Sequence, residues 1–241
     1  MSSVQANLLE MLRLLKVKRP AHHNMLRVGS CADGGYLLCH DLEGLNAALS
    51  FGIGDEVSFD LQLANLGLDV YQFDHTVLEP PTTHERFHFQ KIAWGPRSGL
   101  GVTSLEQIVT SNAGVFAKDC LLKFDVEGAE WQSIDSTPVE VFRPFRFIIG
   151  EFHCLSQAVR PDIYALFMRV FRKLLANHSV IHTHANNACS YSIIENVPVP
   201  DLLEVTFYRN DRDNLIDYSG PLPCELDFPN MPGVLDIILR P

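Results

Sequence analysis

Between residues 47 and 209, short apolar runs alternate with stretches of helical periodicity, and this alternation limits the chain to few folds. Residues 47–53, 69–74, 87–94, 120–126, 146–153, 179–185 and 202–209 read as strands. Residues 59–67, 104–109 and 161–179 read as helices. The last of these has a continuous apolar face of Ile163, Leu166, Phe167, Val170, Phe171 and Leu174, with Arg169, Arg172 and Lys173 on its solvated side. Continuous apolar strands separated by helices form an open, mainly parallel α/β sheet with helices on both faces. With 46% hydrophobic residues the chain can fill such a core.

Leu8, Leu9, Met11, Leu12 and Leu15 predict an amphipathic N-terminal helix, with Lys16, Lys18 and Arg19 at its C-terminal end and Pro20 as its stop. It is also a candidate homodimer contact. Glu10 and Arg13 interrupt the apolar run, so it is not a signal peptide, and no stretch approaches the ~18 apolar residues of a membrane span. A cytoplasmic protein is expected. The net charge of −10 argues against a nucleic-acid partner. The six cysteines form no CxxC pair and read as reduced thiols. Residues 1–241 read as one domain: an N-terminal helix and lead-in over 1–24, a core over 25–210 and a packed tail over 211–241.

Ligands of open α/β sheets bind beyond the carboxyl ends of the strands, where the strand order reverses. The first strand of the alternation ends in Ser50-Phe51-Gly52-Ile53-Gly54, and the second ends 20 residues later in Asp74. Glycines there let backbone approach a ligand, and an acid at that spacing accepts hydrogen bonds from ribose hydroxyls. An adenosine-type ligand is expected, with Ser50 to Gly54, Asp74, His75 and Asp125 as its contacts. Trp94 is a second candidate neighbour of adenine, or a core residue. Asp55 and Glu56 follow the glycines and would repel a pyrophosphate. S-adenosylmethionine, which carries a sulfonium and an amino group, tolerates them.

The fourth strand runs into Asp125-Val126-Glu127-Gly128-Ala129-Glu130. This segment resembles the DxEGxE signature of FkbM-like methyltransferases, a branch of the class I S-adenosylmethionine-dependent fold. The strand–GxG region, Asp74, residues 150–153 (GEFH) and 208–211 (YRND), and the lead-in 27–36 extend the resemblance over roughly residues 26–210. The sequence departs from the family in having Ser50 or Phe51 where an acid usually opens the first motif. The resemblance implies a Rossmann-like seven-stranded sheet whose last strand is antiparallel. It also implies O-methylation of a small-molecule or glycan acceptor, as in polysaccharide biosynthesis.

An alcohol needs a base, or a metal that acidifies it, before it attacks a methyl group. His153, Glu127 and Asp125 are the candidate catalytic residues. Asp125 and Glu151 are candidate ligands for Mg²⁺ or another divalent cation. Glu130, His182, His184 and Asn186 are candidate acceptor contacts. Other roles stay open: Glu127 and Glu130 as helix-terminal acids, His153 as a structural histidine, and His182 with His184 as metal ligands on one strand face. Two rival functions also remain, a nucleotide-dependent oxidoreductase and a non-catalytic binding domain.

Overall fold

The computed structural model describes residues 2–189 and 191–239. Its centre is a seven-stranded sheet of β1 (Ala47–Phe51), β2 (Asp69–Phe73), β3 (Phe87–Gln90), β4 (Cys120–Phe124), β5 (Phe145–His153), β6 (His178–Ala185) and β7 (Leu202–Arg209). Their order across the sheet is β3-β2-β1-β4-β5-β7-β6. All are parallel except β7, which runs antiparallel to both β5 and β6.

Strand alternation divides the core into two layers. Ala47, Leu49 and Phe51 of β1 join Leu122 and Phe124 of β4 on one face. Helices α3 (Leu105–Ser111), α4 (Glu130–Ser136) and α5 (Pro161–Leu175) cover that face, with α1 (Ser3–Leu14) packed on α5. Ala48, Val70 and Leu121 face the other way, beneath α2 (Ser58–Asn65) and a hairpin of Met25–Val28 with Tyr36–Cys39.

The helices form where their termini are served. Ser2 accepts a hydrogen bond from the Gln5 amide at the start of α1. Pro161 opens α5, and Arg172 and Lys173 close it. Lys173 is more than a solvated charge: its Nζ donates to the Ile134, Asp135 and Thr137 carbonyls at the end of α4. Arg169 makes a two-pronged contact with Asp135.

Two boundaries differ from the sequence expectation. The α1 helix ends at Leu14, before Pro20, because Lys18–Pro20 pair instead with Leu215–Asp217. The expected strand over 87–94 breaks at a turn in which the Ile92 amide donates to the Gln90 carbonyl. Ala93–Trp94 then pair with Val102–Thr103, away from the main sheet, and Trp94 stacks on Phe51 inside the core.

Beyond residue 210 the chain lies along the β6–β7 side. Asn187 donates to the Met231 and Val234 carbonyls and accepts from the Met231 amide, which ties this segment to the end of β6. Among the described residues, no helix is long and apolar enough to cross a membrane.

Candidate active site

The sheet reverses its order between β1 and β4, so their carboxyl ends open a crevice. Gly52 leaves β1 with φ +71°, and a Cβ there would lie 1.6 Å from the Asp125 carbonyl oxygen. Only glycine lets the two strand exits pass so closely. The Asp125 amide donates to the Phe51 carbonyl across this approach. Beneath it, the buried Lys123 donates from Nζ to the Gly52 carbonyl at 2.6 Å. Gly54 and Gly128, one on each loop, face open space.

Asp74 secures the first loop. Its Oδ2 accepts from the Ile53 and Gly54 amides at 2.9 and 3.0 Å, and its Oδ1 accepts from the Thr76 amide and hydroxyl, both at 2.6 Å. Burial alone would raise its pKa, but these hydrogen bonds outweigh burial and hold it below the ordinary carboxylate range. The acceptor positions expected to meet a ribose are therefore occupied by protein donors. Ser50, Phe51 and Ile53 are buried as side chains, so this loop offers a ligand its backbone rather than those groups. His75 is exposed beside Asp74.

The second loop brings together the three expected catalytic residues. His153 Nε2 lies 3.6 Å from Asp125 Oδ1 and 3.4 Å from Glu127 Oε2. Its Nδ1 lies 3.3 Å from Glu130 Oε1, which also accepts the His153 amide at 2.8 Å. Glu130 Oε2 accepts the Gly128 amide. Glu130 is fully buried, which removes it from the acceptor contacts: it stands behind the imidazole and orients it. Trp131 donates from Nε1 to the His153 carbonyl and stacks on Phe167, locking α4 and α5 to the end of β5. Glu127 is exposed, with φ +54°, and forms the outer wall.

Burial disfavours a charged His153, but the hydrogen bond and charge of Glu130, with Asp125 and Glu127, outweigh it and raise the pKa above the ordinary value. Asp125 is also raised, chiefly by burial and against the pull of Lys123 and His153. Among the described residues, no group hydrogen-bonds its buried Oδ1.

Glu151 sits one step away in a second acidic group, with Asp33 and Glu204. Its Oε1 accepts the Tyr36 hydroxyl at 2.9 Å. Burial and the charges of Asp125, Glu204 and Asp33 push its pKa well up. The expected Asp125–Glu151 metal pair is thus divided between two groups, because Asp125 gathers with Glu127 and His153. His182 bonds Asp227, and His184 lies between Glu204 and Asp236; both histidines are 2% exposed. Asn186 accepts the Ala188 amide in a local turn. Acceptor contact by His182 or His184 would require the segment after 210 to move.

Sequence reasoning gave no role to Lys123, Tyr36, Asp33 or Glu204. For Lys123 and Glu204 the available signal was a charged residue inside an apolar strand, as in CLLKF and LLEVTFYR.

No protein-family model matches the sequence, and no curated protein matches it. Among solved structures, the chain is similar to one from the fibrillarin/Nop5p complex, with 11% identity over 69% of this chain and 74% of that one, at a TM-score of 0.41. It is also similar to protein 1320 of Thermoplasma acidophilum, with 14% identity over 70% and 81% of the two chains, at a TM-score of 0.34.

Proposed function

We propose that the chain is a single-domain, class I S-adenosylmethionine-dependent methyltransferase that O-methylates a hydroxyl of a sugar, glycan or natural-product acceptor. The observation that carries this reading is the juxtaposition at the β1–β4 crevice. A glycine loop facing open space meets a histidine whose Nδ1 side is fixed by buried Glu130 and whose Nε2 side faces the mouth. The antiparallel β7 in a mainly parallel sheet also suits this class.

The cofactor would supply an electrophilic methyl group. The backbone of Gly52 to Gly54 would line it, with Asp74 holding that backbone in place and offering a ribose hydroxyl an alternative to Thr76. His153 would take the acceptor proton at Nε2, and Asp125 and Glu127 would stabilise the imidazolium. Asp125, Glu127 and His153 also offer ligand atoms within 4.8 Å of one another. Two carboxylates and an imidazole suit a transition-metal dication better than Mg²⁺, which prefers oxygen alone.

The oxidoreductase alternative is weaker. A pyrophosphate would need the N-terminus of α2, and Glu56 Oε1 already accepts the Ser58 amide there.

Calorimetry with S-adenosylhomocysteine tests the proposal on the wild type and on Asp74→Asn, with and without Mg²⁺. Micromolar binding is expected, weakened at least about tenfold (~1.4 kcal/mol) in the variant. Well-folded wild-type protein that binds nothing under either condition refutes it.

A further inference from the structure

We propose that His182, Cys224 and Asp227 form a binding site for zinc or a similar borderline-soft dication, apart from the crevice at β1 and β4. The three side chains each offer a ligand atom within 4.8 Å of the other two. His182 comes from β6, while Cys224 and Asp227 lie three residues apart in the segment that folds back over that strand. A metal here would therefore clamp the segment after 210 to the sheet.

The donor set is chemically specific. Imidazole nitrogen, thiolate sulfur and carboxylate oxygen together select zinc over magnesium or calcium. The thiolate and carboxylate balance the charge of the dication, and binding releases the thiol proton to solvent. Cys224 is a free cysteine, and the Asp227 side chain is 1% exposed. Asp227 Oδ1 lies 2.8 Å from His182 Nε2, and its Oδ2 accepts the Cys224 amide, so the loop already holds the carboxylate towards the ring.

His182 is 2% exposed, and Nε2 is the ring nitrogen turned towards Asp227, so Nε2 is the atom it would offer the metal. Arg19 is the nearby opposing cation; its guanidinium is engaged by the Ile181 carbonyl and by the Tyr218 ring.

The test uses the full chain, produced with zinc present and then desalted. Elemental analysis should find stoichiometric zinc. Replacement by Co²⁺ should give a thiolate-to-cobalt charge-transfer band in the wild type. That band should be absent in Cys224→Ser and retained in Asp125→Asn, which separates this site from the crevice. Folded wild-type protein without the band overturns the proposal, and so does a band that survives in Cys224→Ser.

Discussion

Replacing Glu130 with glutamine isolates the electrostatic control of His153. The substitution keeps the size of the side chain and one carbonyl oxygen, which still accepts the His153 amide, but it removes the buried charge and gives up the acceptor for the Gly128 amide. An imidazolium and a carboxylate 3.3 Å apart attract by about 5 kcal/mol at an effective dielectric of about 20, and by about 1 kcal/mol in bulk water. Glu130 is fully buried and His153 nearly so, which places the effect towards the larger figure. His153 should therefore titrate above free histidine in the wild type, and clearly lower in Glu130→Gln. NMR titration of the imidazole reads this without knowledge of the acceptor. Linkage gives a second reading. A raised histidine pKa contributes stability that is fully present below about pH 6.5 and is lost as pH rises through the folded value. Denaturant unfolding of the wild type should show that loss, and Glu130→Gln should flatten it. An unchanged or higher titration midpoint in the variant would refute the assignment of Glu130 as the group that holds the proton on His153.

Three other perturbations follow from the same contacts. Arg146 is 2% exposed and binds Asp41, Asp119 and the Glu43 carbonyl; Arg146→Ala should lower stability by about 1–3 kcal/mol in denaturant unfolding, since it breaks a buried network, while Arg212 still holds Asp41 and Arg209 still holds Asp119. Gly52→Ala puts a methyl group against the Asp125 carbonyl oxygen at positive φ, so it should part the two loops and remove S-adenosylhomocysteine binding in calorimetry while the far-ultraviolet circular dichroism stays near wild type. For His184, burial opposes its charge, but Glu204, Asp227 and Asp236 push its pKa up to about 9; its stabilising contribution is complete below about 6.5 and is lost as pH rises through the folded value, so hydrogen exchange over residues 231–239 should quicken beyond the intrinsic base-catalysed rate above that point.

What the sequence made legible was local. Residues 202–209 read as a strand with its observed ends, because eight consecutive residues of LLEVTFYR favour extended backbone and burial. The apolar face of α5 was equally plain from its spacing. The third strand read too long because periodicity alone does not register the turn at Gln90–Ile92. The short hairpins Met25–Val28/Tyr36–Cys39 and Tyr191–Ile194/Val197–Pro200 went unread, since runs of four residues carry little pattern. In the site, the sequence brought Asp125, Glu127 and His153 into view as strand-end residues. It could not separate the role of Glu130 from theirs: that separation depends on a contact spanning 23 positions and on complete burial. Nor could it show that Asp74 gives one oxygen to the glycine loop and the other to Thr76, because the donors that reach a carboxylate are set by three-dimensional closure. The same reason hid the partners of His182 and His184, which lie 45 and 52 residues further along the chain.

Charge at the crevice distinguishes the ligands that this sheet could take. Asp125, Glu127, Asp33, Glu151 and Glu204 gather around its second loop, with Lys123 beneath and His153 between. Burial first, and then the charges of Asp125, Glu204 and Asp33, raise the pKa of Glu151, so its carboxylate resists ionising there. An arriving pyrophosphate would add to that repulsion, and it would have to displace Glu56 from the start of α2. A sulfonium would instead relieve it, because a positive centre near these acids lowers the cost of ionising them. In the proposed reaction a proton accepted by His153 would be stabilised by the neighbouring acids, so one charge arrangement would serve both a cationic donor and an imidazolium. That double use would connect the folding of the two loops to the proposed methyl transfer more directly than the sheet order does, because many reactions share the sheet and the chemistry is set by the groups at its edge.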